Sequence, residues 1–520
     1  MVPSKQLRKL YEAGYQLTPE AFTELDAAPN ISEIIEKILE LKIETAILSI
    51  EDIKNISTGS SVTEHNISAT SKNIEEPIDQ NEVAEIELET IVVTKPKETV
   101  SSSRREKTSL DLQIISSPQI TKLSASAAGF KQYFNNRFDR ISSFFKQRRD
   151  IRNLVTTTDF IENQKNEKIS IIGLVYSKRK NKSGSFSLDV EDKYGRVQAM
   201  IFQSDSDLAY KAEFILDDSV LCFTGDWNGR FLFIKDIYWP DIPYNHKPNS
   251  SYEDALALFL SDIHVGSRHL AGDLLLRVIK FLNGNLESNK YNEVGKKVKY
   301  IFVAGDVVDG VGIYPGQAND LEVDNIQFQY LLAAEYFEQI RDDVEIIIIP
   351  GNHDAARAAE PQTPIPKEFA PELYKLDNVH MLGSPAYVKA HNIEVLMTHG
   401  NSIMDINSAI PAIPHETSIP AMVEMLKNRH LVPIYGKRTS IAPEVEDQLV
   451  INQIPDILQA GHTHIAGDET YKGVTIINSG TFQYQTSYQK SMNINPTTGS
   501  TYVVNLQNLQ RTNMNFQTIS

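Results

Sequence analysis

The sequence is poor in cysteine, in tryptophan and in long apolar runs. Its 520 residues include one cysteine and two tryptophans. A single cysteine excludes a disulfide framework, leaves no thiolate cluster for a metal, and is typical of a reducing compartment. No run approaches the roughly 18 apolar residues of a membrane-spanning helix, so we expect no membrane partner. Residues 1–10 carry basic side chains without a following apolar core, so we expect no secretory signal.

Positive charge is also scarce. Lysine and arginine number 51 against 68 acidic residues, which gives a formal net charge of −17. This balance excludes a protein that coats nucleic acid by bulk attraction, so any contact with DNA must come from local basic patches or from bound metal ions. The length suits about three domains with substantial cores.

Five short apolar runs end in residues that can ligate a metal. Runs of this kind, bounded by Gly or Pro, are typical of strands buried on both faces, and the helical stretches between them predict a layered α/β arrangement. The polar ends should therefore converge on one edge of a sheet. These ends are Asp262-Ile263-His264, Gly305-Asp306-Val307-Val308-Asp309, Gly351-Asn352-His353-Asp354, His399-Gly400 and Gly461-His462-Thr463-His464.

Such a set of side chains matches the needs of a two-metal site. Two divalent ions about 3.5–4 Å apart require a bridging carboxylate, several imidazoles and an open face for water and substrate. Carboxylate, imidazole and amide oxygen ligands suit Mn²⁺, which we favour, as well as Fe²⁺ or Zn²⁺, and Mg²⁺ is a further candidate. Each motif alone is more often a surface turn or a satisfied polar pair, whereas five in one order predict a metal centre.

In this order the motifs are identified as the signature of the calcineurin-like metallophosphoesterase superfamily. The stretch from Val445 to Thr498, with Ile454-Pro455-Asp456-Ile457 and Asn478-Ser479-Gly480-Thr481, resembles the small proofreading subunit of archaeal family-D DNA polymerase. The resemblance implies a multidomain α+β protein, in which a metallophosphoesterase β-sandwich flanked by helices follows an OB-type β-barrel and a small helical N-terminal domain. It also implies a cytoplasmic protein that forms a heterodimer with a large catalytic polymerase subunit.

The resemblance further implies a role for each motif residue. His353 would be the catalytic residue that faces the scissile phosphate. Asp309 and Asp354 would orient ligands, although a turn or helix-cap carboxylate explains these two equally well. One ion would be held by Asp262, His264, Asp306 and His464, and the second by Asp306, as the bridge, with Asn352, His399 and His462.

The reaction implied is hydrolysis of DNA phosphodiesters by a 3′→5′ exonuclease, acting on a single strand or a primer 3′ end with water that the ions activate. Two alternatives remain open. A catalytically silent scaffold B-subunit would be expected to have lost several ligands, whereas every ligand position here holds a residue able to coordinate. A phosphatase or phosphodiesterase for other substrates is disfavoured by the predicted β-barrel and by the last motifs.

Composition divides the chain before the catalytic domain. Residues 1–53 predict a helical module, which either docks a partner or caps the enzyme, and residues 54–112 predict a disordered linker. Residues 113–154 predict a connecting amphipathic helix. Within it, residues 141–145 also have the spacing of a peptide that binds a sliding clamp (PCNA), but a core-facing helix fits the apolar stripe better.

Five strands separated by polar turns predict an OB-type barrel over residues 155–245. A basic turn at residues 178–182 and Trp227 could bind a single strand, although a subunit contact is the preferred role. Residues 250–506 predict the metallophosphoesterase domain, and residues 507–520 a frayed polar tail. Three basic residues of the catalytic domain could either guide DNA to the metals or belong to a structural lid, namely Arg429, Lys437 and Arg438.

Overall fold

The computed structural model describes residues 111–121, 125–146, 148–162 and 168–519, together with parts of the stretch 9–54. The linker predicted at 54–112 lies outside the described residues, apart from its two ends. Among the helices described, none is long and apolar enough to cross a membrane.

The described part of the N-terminal unit packs on the C-terminal domain, which the sequence predicts to be catalytic and which is called the catalytic domain on that basis. Strands β1 (Gln16–Leu17) and β2 (Ile47–Leu48) pair in parallel, and helix α1 (Ile31–Leu41) carries apolar residues at three- and four-residue steps. Its buried face, which includes Ile34, joins a cluster that contains Leu331 of the catalytic domain. These contacts favour a packed cap over a free docking module.

Residues 113–154 do not form a single helix. Strand β3 (Leu112–Ser116) adds to the edge of a sheet in the catalytic domain, and helix α2 (Ala127–Lys146) begins only after it. The sequence Ser116-Ser117-Pro118 accounts for the break, because a residue before proline is biased away from the helical region.

Helix α2 joins the barrel to the catalytic domain through two buried clusters. Tyr133 packs into a cluster of the catalytic domain, while Ile141 and Phe145 pack with barrel residues such as Leu174 and Val220. Ile141 is 2% exposed and Phe145 is 1% exposed. A clamp-binding peptide would need these anchors at the surface, so the structure favours the core-facing helix.

The next unit is a closed barrel of five strands, with β4 (Leu154–Val155) paired outside it on β5. The pairing of β5 with β8 closes the barrel. Helices α3 (Thr157–Glu162) and α4 (Ser206–Glu213) accompany it. The barrel strands are β5 (Lys168–Lys180), β6 (Phe186–Glu191), β7 (Arg196–Ile201), β8 (Val220–Trp227) and β9 (Phe231–Tyr238).

Two residues predicted to bind single strands on this barrel are otherwise engaged. Trp227 is buried in the barrel core, so it offers no stacking platform. The ammonium group of Lys178 donates to the backbone oxygens of Ala212 and Glu213, at 3.2 and 2.9 Å. Strand β8 is buried along nearly its whole length, and the side chain of Lys178 reaches the end of helix α4. Neither feature is visible in the sequence alone.

The catalytic domain contains two six-stranded sheets. The first has the order β13-β12-β11-β10-β19-β20, and the second has the order β17-β18-β16-β15-β14-β3. The first sheet comprises β10 (Leu256–Leu260), β11 (Val298–Ala304), β12 (Glu345–Ile349), β13 (Val379–Met381), β19 (Ser500–Asn505) and β20 (Arg511–Asn515). The second comprises β3 with β14 (Ala386–Ala390), β15 (Ile393–Met397), β16 (Ile457–Ala460), β17 (Gly467–Tyr471) and β18 (Val474–Asn478).

The sheets stack face to face between helices, which gives four layers. Side chains alternate along each strand: Leu258 faces the helices, whereas Phe259 faces the other sheet. The helices of the domain are α5 (Gly272–Asn283), α6 (Asn289–Lys296), α7 (Ile326–Phe337), α8 (Ile403–Ala409), α9 (Ile419–Asn428) and α10 (Ser487–Ser491).

The prediction of a frayed tail at 507–520 is wrong for most of that segment. Strand β20 pairs antiparallel with β19, and both Met514 and Phe516 are buried in the core beneath α5. Met514 and Phe516 are two positions apart, as expected for a strand with one buried face. This spacing indicates a strand, although the segment is polar in composition.

Candidate metal centre

The five motifs meet at one edge of the two stacked sheets. Strands β10, β11 and β12 run parallel, as do β15 and β16, so their carboxyl ends lie together. Each strand is buried because helices cover one face of its sheet and the other sheet covers the second face. The edge therefore collects every carboxylate, imidazole and amide that the sequence predicts as a ligand.

Five of the seven predicted ligands have a left-handed backbone. Positive φ values are sparsely populated by residues other than glycine and concentrate at functional sites, where the surrounding structure enforces them. Here they bend the chain sharply at the ends of three strands. The residues and their φ values are Asp262 (51°), His264 (55°), Asp306 (51°), His462 (68°) and His464 (60°).

Two glycines make room for the carboxylates. A Cβ atom on Gly351 would collide with the carboxylate of Asp306, and one on Gly461 would collide with the carboxylate of Asp262. The glycines of the Gly-Asn-His-Asp and Gly-His-Thr-His motifs thus permit close approach of neighbouring loops.

One group of ligand atoms gathers around His264. Its Nε2 lies 3.1 Å from Nε2 of His464 and 4.0 Å from Oδ1 of Asp262. Asp262 Oδ1 lies 3.4 Å from Nε2 of His464, and the three residues together could hold a metal ion. The backbone NH of His462 donates to the Asp262 carboxylate and fixes its position.

A second group gathers around His399. Its Nε2 lies 3.3 Å from Oδ2 of Asp306 and 3.0 Å from Oδ1 of Asn352. The ring of His462 lies 5.2 Å from the ring of His399. His399 Nδ1 lies 2.7 Å from the backbone oxygen of Ala304, which holds Nδ1–H and leaves Nε2 to face the centre.

Asp306 lies between the two groups. Its Oδ2 is 3.7 Å from Nε2 of His264 and 3.3 Å from Nε2 of His399. Burial alone would raise the pKa of Asp306, but the imidazoles of His399 and His353 hold it well below the ordinary value. An ionised carboxylate between two sets of imidazoles is the arrangement that a bridging ligand requires.

The pKa values of two histidines, His462 and His399, are shifted in opposite directions. Burial and, to a lesser extent, repulsion from His399 lower the pKa of His462 to about 4. Burial also opposes charge on His399, but the carboxylate of Asp306 dominates and raises the pKa to about 10. A histidine must be neutral to bind a metal, so metal binding here would release a proton from His399.

The structure separates the two carboxylates whose roles the sequence left open. Asp309 contacts a predicted ligand, because its Oδ1 lies 2.9 Å from Nδ1 of His264. Asp354 instead accepts hydrogen bonds from the backbone NH of Gly351 and the hydroxyl of Tyr330, at 2.9 and 3.0 Å. Asp309 is thus placed to orient the imidazole of His264, whereas Asp354 connects its own loop to helix α7.

His353 lies on the cavity beside the first group. Its ring is 4.7 Å from the ring of His264, and its Nδ1 lies 2.7 Å from the backbone oxygen of Asp309. The Nδ1–H therefore donates to that oxygen, and Nε2 remains for a ligand or substrate. His353, His264 and Asp306 also form a group that could itself hold a metal ion.

A cavity of about 570 Å³ opens over the centre. Several lining residues come from segments to which the sequence assigned no role, including Tyr314, His415, Tyr488 and Gln489. Gln489 contacts a predicted ligand, since its Nε2 lies 2.8 Å from Nδ1 of His464. No spacing signal could have found it, because it follows His464 by a loop and two strands.

Of the three basic residues predicted to contact DNA, one is buried and two are exposed. Arg429 is 4% exposed, and its guanidinium donates to the backbone oxygens of Ile451 and Asn452, so the prediction that it reaches DNA is wrong. Lys437 and Arg438 are exposed, and Arg438 lines the cavity. The carboxylate of Asp405 accepts hydrogen bonds from the backbone NH groups of Arg438 and Thr439, which holds this loop against α8.

Residues 257–466 match the family model of the DNA polymerase alpha/epsilon B-subunit. The chain is 37% identical over 396 residues to the DNA polymerase II small subunit of Methanothermobacter thermautotrophicus, covering 76% of the chain and 81% of that protein. It is 39% identical to the one of Archaeoglobus fulgidus, over 72% of the chain and 74% of that protein. It is 38% identical to the one of Pyrococcus abyssi, over 73% of the chain, but spans only 61% of that longer protein.

Proposed function

The chain belongs to the archaeal DNA polymerase II small-subunit family, and on that premise we propose that it is a metal-dependent 3′→5′ exonuclease. Its reaction is hydrolysis of DNA phosphodiesters at a pair of divalent ions, Mn²⁺ being the preferred metal. A large catalytic polymerase subunit is the partner that the family implies, and proofreading of its product is the task. The proposal includes a metallophosphoesterase sandwich for the catalytic domain and an OB-type fold for the barrel.

The observation that carries this proposal is the position of Asp306 between two sets of imidazoles. A pair of ions shares one carboxylate, and Asp306 Oδ2 lies within 4 Å of Nε2 in both His264 and His399. The donors fit borderline divalent ions, because they combine carboxylates, imidazoles and one amide oxygen without a thiolate. In a catalytically inactive scaffold protein, nothing would require five predicted ligands around one cavity to keep a strained backbone.

When bound, such ions supply an activated water near neutral pH and neutralise charge on the phosphate. The residues of the chain prepare the site for this. Asp309 and the backbone oxygen of Ala304 accept from Nδ1–H of His264 and His399, which leaves Nε2 of both rings for a metal. The amide NH₂ of Gln489 instead donates to Nδ1 of His464 and fixes the orientation of that ring. His353 donates its Nδ1–H to the backbone oxygen of Asp309, and as an imidazolium it would use its Nε2–H to protonate the leaving oxygen or to donate a hydrogen bond to the phosphate.

The test is Mn²⁺-dependent degradation of a 5′-labelled single strand, with a mismatched primer in parallel. The wild-type chain, alone and with the large subunit, is compared with Asp306→Ala and His353→Ala. A matched control is His380→Ala, which removes a histidine that pairs with Glu345 at the end of strand β12 opposite the metal centre. The proposal predicts a ladder that shortens from the 3′ end, abolished by the first two substitutions and kept by the control.

The alternatives give different results in the same assay. A scaffold B-subunit would leave both DNA substrates intact, with or without the large subunit. A phosphatase for other substrates would leave DNA intact but release phosphate from a phosphomonoester, with the same dependence on Asp306. Either pattern would overturn the exonuclease proposal.

A further inference from the structure

The cavity over the metal centre is lined by two chemically different sets of side chains. The polar set includes His353 and five of the seven predicted ligands. A volume of about 570 Å³ is more than a phosphate group needs and falls in the range of sites that enclose organic ligands. The larger apolar and aromatic side chains of the lining, called the apolar wall, are Ile313, Tyr314, Ile465, Tyr488 and Ile494.

Both tyrosines line the cavity over the metal centre. The ring of Tyr314 lies 6.2 Å from the ring of His353, which lies 4.7 Å from the ring of His264. The ring of His264 in turn lies 4.9 Å from that of His464. Gln489, the residue after Tyr488 on helix α10, contacts His464 through its side chain. A chain of rings thus leads from Tyr314 past His264 to His464, and α10, which carries Tyr488, contacts His464.

Tyr488 is the more available of the two rings. It is 58% exposed although it lines the cavity. The short helix α10 that carries it is held in place by a capping box between Thr486 and Gln489. Tyr314, in contrast, is half-buried, and its hydroxyl donates to Asp320 at 3.1 Å. Tyr488 therefore presents an exposed aromatic ring to the cavity from a helix whose start is fixed by its cap.

We propose that this apolar wall is a nucleobase subsite, in which Tyr488 stacks on the base of the 3′-terminal nucleotide while its phosphate lies at the metal centre. The inference rests on the proposed function and adds the part of the substrate that is recognised. Stacking on an aromatic side chain tolerates every base, because each base has a π-face. The base must leave its duplex partner to reach this wall, which makes a frayed or single-stranded end the substrate.

The test pairs a protein change with a substrate change. The proteins are the full wild-type chain, Tyr488→Ala and Tyr488→Phe, each with the large subunit, and Tyr252→Ala serves as control because Tyr252 is 87% exposed and does not line the cavity. The substrates are a 5′-labelled single strand and the same strand with an abasic 3′-terminal nucleotide. The measurement is kcat/KM for removal of that nucleotide in Mn²⁺.

The subsite predicts that the wild-type chain prefers the normal end by about 5- to 150-fold, the value of one base–aromatic stack. Tyr488→Ala should lose that preference while matching the wild type on the abasic end, and Tyr488→Phe and Tyr252→Ala should behave as wild type. A wild-type chain that cleaves both ends equally would overturn the inference and leave the exonuclease standing.

Other results are equally decisive. If Tyr488→Ala slows both ends alike, its role is to position α10 and Gln489, and the subsite is overturned. If Tyr488→Ala matches the wild type on the normal end, the subsite is likewise overturned. If the wild-type chain cleaves neither end, the proposed function fails, and this inference fails with it.

Discussion

Asp309 holds His264 from the side of the ring that faces away from the metal centre. Its Oδ1 lies 2.9 Å from Nδ1 of His264, while Nε2 of the same ring points toward Asp306 and His464. Burial raises the pKa of Asp309, but its hydrogen bond to His264 dominates and lowers it. An ionised carboxylate behind an imidazole fixes the proton on Nδ1 and leaves Nε2 free to bind a metal.

Asp309→Asn should therefore lower the affinity for Mn²⁺ by about 10- to 100-fold, because an amide can present a donor to Nδ1 and no longer fixes the tautomer. The measurement is the Mn²⁺ concentration that gives half-maximal activity. Glu345→Gln is the matched control, since Glu345 pairs with His380 at 2.7 Å away from the centre. Equal Mn²⁺ dependence in the two variants would contradict this role for Asp309.

Arg438→Ala should weaken binding of a single strand and reduce the slope of log affinity against log salt by about 0.7, the value of one phosphate contact. Arg438 lines the cavity, whereas its exposed neighbour Lys437 does not. Fluorescence anisotropy at several salt concentrations measures both quantities. Lys437→Ala is expected to change them less, and an unchanged slope in Arg438→Ala would exclude it from DNA contact.

A buried ion pair locks helix α2 to the catalytic domain. Nε of Arg137 lies 2.7 Å from Oδ2 of Asp447, and the hydroxyl of Tyr133 donates to Oδ1 at 2.7 Å. Arg137→Met would leave a buried carboxylate without its cation, so we expect a loss of about 3–5 kcal/mol in the free energy of unfolding.

The control for that variant removes an exposed ion pair of the same helix. Lys193→Met breaks the contact with Asp139 and should cost at most about 1 kcal/mol. Thermal unfolding of both variants gives the comparison. Similar falls in Tm would mean that the Arg137–Asp447 pair contributes no more than a surface pair.

His430 should make stability depend on pH. Burial lowers its pKa to about 4, with Arg137 adding repulsion, and the backbone NH of Val432 donates to its Nδ1. The unfolded chain, with an ordinary pKa of about 6.5, binds the proton first as pH falls. The free energy of unfolding should therefore be unaffected by His430 above pH 6.5 and should fall progressively toward pH 4. The loss is about 2 kcal/mol at pH 5.

His430→Gln removes this titration and should reduce the fall in Tm between pH 7 and 5, measured with EDTA so that metal loss does not contribute. Part of the fall should remain, because the pKa of His462 is also lowered to about 4. His269→Gln, which changes a histidine 3.5 Å from Asp320 at the surface, should retain the wild-type slope. A wild-type slope in His430→Gln would assign the effect to other groups.

The sequence was sufficient to predict the convergence of the ligands, because each follows an apolar run and the ends of parallel strands meet at one edge. It could not separate Asp309 from Asp354, since both follow a buried strand and only their tertiary partners differ. Nor could it show that Arg429 is buried or that Gln489 reaches His464, because both depend on segments distant in the chain. The left-handed backbone at Asp306 likewise arises from the packed loops around it.

Anomalous diffraction from a crystal grown with Mn²⁺ would show whether two ions share Asp306. Two peaks are predicted, about 3.5–4 Å apart. One should lie against Asp262, His264 and His464, and the other against Asn352, His399 and His462, with Asp306 touching both. No peak at this centre, or a single peak that leaves His399 and Asn352 without metal, would contradict the account.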